Sequence, residues 1–253
     1  MNTLYYSRKG KGKIMTIVKR LLKEVKIWHY ILLWNTYMKT ADMGNTVNRF
    51  HRLYYDSGAF GQTWRKTTFL GTEISKCPLD LWIYQEIIFD LRPDVIIETG
   101  TYLGGSALYM ASICDLISHG RVLTIDIKEK DGRPHHERIT YITGSSTSNS
   151  TVQKVKHEIE GCSSTMVVLD SDHTKYHVLN ELNIYGDIVT KGSYLIVEDS
   201  NLNGHPVEGD FGEGPMEAIE EFLQKNDKYV VDKTKEKLLL TFNPNGYLRR
   251  IKE

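Results

Sequence analysis

The chain has 253 residues, 40% of them hydrophobic, with 32 basic and 32 acidic residues. This length and composition suit one α/β domain with an extension, and a net charge of zero gives no indication of a nucleic-acid partner or an acidic substrate. Three widely spaced cysteines form neither a metal-ligand pattern nor a disulfide framework, which indicates a reducing, cytoplasmic compartment.

The N-terminal segment is basic, because residues 1–26 carry eight basic residues against one acid. Apolar residues at helical spacing over 17–28 predict an amphipathic helix. We expect its apolar face to pack on its own domain or on another subunit of a homo-oligomer; peripheral attachment to a membrane surface is the alternative. The apolar run 27–34 is too short to span a bilayer and no signal-cleavage site is evident, so neither export nor spanning is expected.

We predict two regions, a helical, basic, amphipathic extension over residues 1–60 and the main domain over 61–253. The polar and aromatic stretch 35–80 has little periodicity, which indicates a segment folded over the edge of the domain; a substrate lid is one interpretation. Residues 81–91 have the spacing of an amphipathic helix, with Asp80 as a plausible N-cap.

A glycine-rich loop organises the rest of the chain. The β-branched run 95–97 predicts a buried strand, residues 106–117 predict the helix after it, and the intervening sequence begins E-T-G-T-Y-L-G-G-S. An acid before the first glycine would repel a phosphate but suits the ammonium of a methionine moiety, so S-adenosylmethionine (SAM) is favoured over NAD. The predicted cofactor-binding residues of this loop are Glu98, Thr99, Gly100, Thr101, Gly104, Gly105 and Ser106.

Two further strands extend the predicted cofactor site. The strand 122–126 ends in Asp126, where a doubly wound sheet presents an acid to ribose hydroxyls. The strand 139–143 is followed by Gly-Ser-Ser, and we expect Ser145 to cover an edge of the adenine. Simple strand-end residues are the alternative interpretation.

A cluster of acids follows the next two strands. The strand 165–170 ends in Asp170, a helix is predicted over 177–190, and the strand 194–199 ends in Glu198 and Asp199. A right-handed crossover would make the two strands neighbours and bring the three carboxylates into one crevice, where hard oxygen ligands suit Mg²⁺ or another divalent ion. Asp170 is also expected to contact the cofactor. Acids that merely cap turns are the alternative.

His173 lies just past the strand that ends in Asp170. An unperturbed imidazole has a pKa of about 6.5, which suits removal of a proton from a hydroxyl group near neutral pH. We therefore predict His173 as a general base rather than a metal ligand; a structural histidine is the alternative.

The C-terminal third completes the predicted sheet. A glycine-rich loop over 201–215 is predicted to form a substrate lid. A helix at 217–224 and strands at 229–231 and 238–242 follow, the two strands forming an antiparallel pair. This alternation predicts an α/β fold with a doubly wound, mostly parallel sheet of the class I methyltransferase type.

The stretch 64–250 resembles the cephalosporin hydroxylase family, whose members include SAM- and Mg²⁺-dependent sugar O-methyltransferases. The matching segments are 78–86, 97–101 with 104–106, 169–173, 197–199 and 203–207. The resemblance implies a carbohydrate or glycoconjugate acceptor, Asp170, Glu198 and Asp199 as metal ligands and His173 as the base. Two other functions stay open: a non-catalytic SAM-binding or assembly protein, and an NAD-dependent oxidoreductase, which would need a dinucleotide loop that this sequence does not have.

Overall fold

The computed structural model describes residues 22–30, 32–33, 43–56 and 62–253. The structure divides into two compact units, with the boundary between Asn48 and Arg49. Residues 22–30 and 32–33 are helical and their side chains are exposed; the rest of the predicted N-terminal amphipathic helix lies outside the described residues. Within the described part of the chain, every helix is too short or too polar to cross a membrane.

The helices and strands alternate along most of the chain. In order they are α1 (Met43–Asp56), β1 (Thr68–Phe69), β2 (Thr72–Glu73), α2 (Pro78–Leu91), β3 (Val95–Thr99), α3 (Gly105–Leu116), β4 (Arg121–Asp126), β5 (Ile139–Thr143), α4 (Asn149–Glu158), β6 (Thr165–Leu169), α5 (Lys175–Tyr185), β7 (Tyr194–Val197), α6 (Pro215–Lys225), β8 (Tyr229–Val231) and β9 (Tyr247–Arg250). Two short 3₁₀ helices lie at Thr63–Lys66 and Lys233–Glu236.

The main sheet has seven strands in the order β5-β4-β3-β6-β7-β9-β8. Strands β3 to β7 all run parallel to one another, whereas β9 runs antiparallel to both β7 and β8. The predicted doubly wound, mostly parallel sheet is therefore confirmed, as is the expected pairing of β6 with β7. Because parallel strands end at the same edge, the loops after β3, β4, β6 and β7 gather there.

Strand β3 lies inside the sheet, between β4 and β6, and all five of its residues are buried. Successive side chains of a strand point to opposite faces, so Val95 and Ile97 belong to one hydrophobic cluster and Ile96 to another. Helices α4, α5 and α6 contribute to the first cluster, and α2 and α3 to the second. The sheet is thus covered on both faces, which explains why its strands are continuously apolar.

A third cluster lies beside the site edge and anchors the residues before α2. Tyr55 of α1 stacks on Trp64 with ring centroids 4.8 Å apart, and Phe242 meets both rings edge-on. These residues belong to the unit that begins at Arg49. The domain boundary predicted after residue 60 remains a prediction.

Two local predictions are wrong. Residues 238–242 are not a strand: Leu239 has a positive φ of 70°, and the Phe242 amide donates to Asp80 Oδ2 at 2.8 Å instead of to a neighbouring strand. Asp80 is not an N-cap either, because α2 begins at Pro78, whose fixed φ suits the first helical position. The buried Asp80 carboxylate instead accepts hydrogen bonds from Phe242 and from the Tyr247 hydroxyl at 2.9 Å.

Candidate functional site

The loop after β3 packs directly on the end of β6. Gly100 has a φ of +90°, and a Cβ placed there would lie 1.8 Å from the Asp170 carbonyl oxygen. Only glycine permits this approach. A Cβ on Gly105 would lie 2.2 Å from the Glu73 carbonyl oxygen, so the segment around β2 covers the same loop. The glycines therefore bring three parts of the chain together around one space.

A cavity of about 630 Å³ opens at this edge of the sheet. Eight of the predicted site residues line it: Gly100, Thr101, Gly105, Ser106, Asp126, Asp170, His173 and Asp199. Five others do not reach its lining: Glu98, Thr99, Gly104, Ser145 and Glu198.

Glu98 lies beneath the cavity and is fully buried. The Ser106 hydroxyl donates to Glu98 Oε1, and the Thr124 hydroxyl donates to Oε2 at 2.6 Å. Burial raises the pKa of Glu98 to about 7, although the Lys76 charge and the hydrogen bonds from Ser106 and Thr124 oppose the rise. Both oxygens are thus engaged by protein donors, and the carboxylate supports the loop from below.

Asp126 lies at the end of β4 and is held in a fixed orientation. Its Oδ2 accepts from the Tyr102 amide and from Arg133 Nη2, both at 2.9 Å. After β5, Ser146 rather than Ser145 lines the cavity. The Ser145 Oγ instead lies 3.2 Å from the Thr147 Oγ1, within hydrogen-bond distance. The predicted ribose acid is therefore at the cavity, and Ser146, the neighbour of the predicted adenine contact Ser145, lines the cavity wall.

Asp170, His173 and Asp199 converge at the mouth of the cavity. Each offers one ligand atom, and these atoms all lie within 4.8 Å of one another. His173 Nε2 is 3.3 Å from Asp199 Oδ2 and 3.9 Å from Asp170 Oδ1. Burial raises the pKa of Asp199 to about 6, partly offset by the adjacent His173. Such a set of oxygen and imidazole ligands can hold a divalent cation.

Glu198 points away from this group towards a buried lysine. Lys76 Nζ lies 2.7 Å from Glu198 Oε1 and 2.5 Å from Asp170 Oδ2, and the Tyr84 hydroxyl donates to the same Glu198 oxygen. Burial would lower the pKa of Lys76, but the Asp170 and Glu198 charges raise it above its usual value. Burial also raises the pKa of Glu198, against the opposing charge of Lys76.

Three site residues were not assigned a role from the sequence. Lys76 is 94 and 122 positions from its partners, so no local pattern reveals the contact. Ser146 and His177 line the cavity, with His177 Nε2 3.2 Å from Ser146 Oγ. The sequence signal that points to Ser146 is its position next to Ser145, which is predicted to contact the cofactor.

The fold and the site define the class of this protein. The strand order, the glycine loop after β3 and the acids at the ends of β4, β6 and β7 are those of the class I SAM-dependent methyltransferase fold. Residues 61–251 match the model of the family described as Rhamnosyl O-methyltransferase/CmcI, and the chain belongs to this family. The predicted family resemblance is thereby confirmed.

Similar proteins are found by sequence and by structure. The chain is 40% identical over 214 residues to a rhamnosyl O-methyltransferase of Mycobacterium tuberculosis, covering 81% of this chain and 84% of that protein. It is 40% identical over 212 residues to the rhamnosyl O-methyltransferase of Mycobacterium leprae, covering 81% and 90%. An apo structure of CmcI matches with a TM-score of 0.60 and 21% identity, over 75% of this chain and 78% of that chain. A structure of CmcI with Mg and SAM matches with a TM-score of 0.58 and 20% identity, over 74% and 78%.

Proposed function

We propose that this protein transfers the methyl group of SAM to a hydroxyl group of a sugar or glycoconjugate, with the aid of a divalent cation. The observation that carries the proposal is the convergence of Asp170, His173 and Asp199 beside the glycine-loop cavity. The relatives named rhamnosyl O-methyltransferases support a rhamnosyl acceptor. The CmcI structure with Mg and SAM supports the choice of cofactor and ion.

The donor set fits a hard divalent ion such as Mg²⁺. Asp170 and Asp199 would hold the ion through carboxylate oxygens, which Mg²⁺ prefers. Glu198 is the third proposed ligand, although its Oε1 accepts hydrogen bonds from Lys76 and Tyr84 in the structure described above. When bound, the ion supplies Lewis acidity that lowers the pKa of the acceptor hydroxyl.

We propose His173 as the base that takes the proton from this hydroxyl. Its Nε2 lies 3.3 Å from Asp199 Oδ2, and the side chain is 26% exposed, which leaves it open to an acceptor. The Asp199 carboxylate orients the ring and stabilises the imidazolium that forms. The acceptor oxygen then takes the methyl group as its bond to the SAM sulfur breaks, leaving S-adenosylhomocysteine and a protonated His173. A metal-ligand role is the alternative for this histidine.

The cofactor would occupy the 630 Å³ cavity, which is large enough for a nucleoside-sized ligand. Gly100, Thr101, Gly105 and Ser106 would contact its methionine part, and Asp126 its ribose. Glu98, Thr99 and Gly104 shape the loop without lining the cavity. Ser145 stays a proposed contact, next to the cavity-lining Ser146.

The N-terminal residues are proposed to mediate assembly. Leu22, Val25 and Trp28 are exposed on the helical segment 22–30. We propose that this segment contacts a second copy of the chain, giving a homo-oligomer in the cytoplasm. Peripheral contact with a membrane surface is the second candidate, favoured by the neighbouring basic residues and by Trp28.

Binding and turnover together test the proposed function. Calorimetry should detect SAM binding and no NAD binding, since the loop lacks the G-x-G-x-x-G spacing of a dinucleotide site. Incubation with methyl-labelled SAM and a panel of rhamnosyl-bearing acceptors should then yield a methylated sugar. Tight SAM binding with no transfer to any glycan would favour the non-catalytic alternative. Binding of NAD in preference to SAM would overturn the proposal.

A further inference from the structure

Lys76 is a buried cation placed against two acids of the site. Its side chain is 4% exposed, and its ammonium lies 2.5 Å from Asp170 Oδ2 and 2.7 Å from Glu198 Oε1. It comes from the segment just before α2, whereas its partners directly follow β6 and β7. One lysine thus joins a covering segment to the ends of two central strands.

The crevice needs such a cation for electrostatic reasons. Asp170, Glu198 and Asp199 bring three carboxylates close together, and uncompensated buried charge is costly. Within the described ranges, the ion pairs of these carboxylates are made by Lys76 and His173. Lys76 contacts Asp170, one of the proposed metal ligands, and Glu198, the third.

We infer that Lys76 is the internal counter-cation of this crevice and that it competes with the divalent ion for the oxygens of Asp170 and Glu198. The inference rests on the proposed metal site and deepens it. Two cations that share the same carboxylates repel each other, so an arriving ion must weaken or displace the lysine contacts. Lys76 therefore stabilises the metal-free site and lowers its affinity for the divalent ion.

A purely structural role for Lys76 would give a different change in metal binding. In that case Lys76 only ties the segment before α2 to the sheet, and its loss lowers stability with unchanged or weaker metal binding. The competing role predicts lower stability of the metal-free protein together with tighter metal binding. Only the competing role predicts tighter metal binding, and neither result depends on catalytic activity.

The test is Mn²⁺ binding by calorimetry and by electron paramagnetic resonance, without SAM. Lys76→Met and the polar variant Lys76→Gln should bind Mn²⁺ roughly 10-fold or more tightly than the unmodified protein, because one positive charge beside the ion is removed. Lys76→Arg, which keeps the charge, should bind within about 3-fold of the unmodified protein. The control is Lys252→Met, which removes a lysine paired with Asp227 at 2.6 Å and should change nothing.

Thermal unfolding gives a second readout. The Mn²⁺-induced rise in melting temperature should be larger in both neutral variants than in the unmodified protein, since tighter binding stabilises the folded state more. Variants that fold only when Mn²⁺ is present would also support competition, because the ion then replaces the missing charge. Equal or weaker Mn²⁺ binding in folded neutral variants, or failure to fold even with Mn²⁺, would overturn the role of Lys76. Absence of Mn²⁺ binding to the unmodified protein would instead overturn the metal site itself.

Discussion

Replacement of Gly100 by alanine should disrupt the junction on which the whole site depends. The new Cβ would lie 1.8 Å from the Asp170 carbonyl oxygen, 2.5 Å from its carbonyl carbon and 3.0 Å from the Ser171 Cα. All three atoms belong to the backbone, so no side chain can move aside. Restoring an ordinary contact of 3.4 Å would push the ends of β3 and β6 apart and strain the hydrogen bond from the Asp170 amide to the Thr99 carbonyl, now 3.0 Å.

The size of the effect follows from two costs in the folded state and one opposing contribution from the unfolded chain. A non-glycine residue at positive φ costs about 1–2 kcal/mol, and overpacking of a close contact costs about 1–3 kcal/mol or more. Alanine also restricts the unfolded chain more than glycine does, which offsets about 0.4–1 kcal/mol of this cost. We therefore expect Gly100→Ala to lower the free energy of unfolding by about 3 kcal/mol, which for a chain of this size is roughly 6–12 °C in melting temperature.

Gly132→Ala is the matched control. Gly132 has a φ of +81°, close to that of Gly100, but a Cβ there would meet no atom within 4 Å. Gly132→Ala should lower the free energy of unfolding by only about 1 kcal/mol, because the positive φ is its only cost. Urea unfolding and Mn²⁺ titration of both variants check the difference, with Mn²⁺ affinity falling about 10-fold or more in Gly100→Ala because Asp170 is displaced. Equal stability and equal Mn²⁺ affinity of the two variants would refute the proposed junction.

Three further predictions concern catalysis, the loop 201–215 and the N-terminus. His173→Ala should slow single-turnover methyl transfer by roughly 10²- to 10⁴-fold with SAM and metal affinities intact; a sharp loss of metal affinity would instead make His173 a ligand. Glu217 accepts from Asn203, His205 and the Gly214 amide; burial raises its pKa, but these hydrogen bonds outweigh it and lower the pKa to about 2. The ionised Glu217 therefore stabilises the folded protein fully above about pH 4.5, and this stabilisation is lost as the pH falls towards 2. Glu217→Gln should lower the urea midpoint at pH 7 far more than at pH 2.5. An equal loss at both pH values would contradict this prediction. Deletion of residues 1–40 should change the oligomeric mass, whereas unaltered mass with loss of liposome binding would favour the membrane alternative.

The sequence predicted the parts of the fold that depend on local pattern. The β-branched run of β3, the glycines after it and the alternation of strands with helices are local signals, and the structure confirms the elements they indicate. The carboxyl ends of adjacent parallel strands must meet at one edge, so Asp170 and Asp199 could be placed together before their distances were known.

The rest depends on contacts that no local pattern encodes. Glu98 faces Thr124 rather than the cavity because β3 and β4 are in register at these two residues. The Lys76 ammonium reaches Glu198 across 122 positions of sequence. The apolar run 238–242 has the composition of a strand, but its Phe242 amide donates to the buried Asp80, and its Leu240 and Phe242 side chains pack in the third cluster.

The most direct test of the central claim is methyl transfer from SAM to a rhamnosyl-bearing acceptor, measured with and without a divalent ion. We expect one methyl group to be transferred per acceptor hydroxyl in the presence of Mg²⁺, transfer to be lost after exhaustive chelation, and transfer to recover when Mg²⁺ is returned. The carboxylates of Asp170 and Asp199 are the reason for this dependence. Transfer that continues undiminished after exhaustive chelation would contradict the proposed role of the divalent ion.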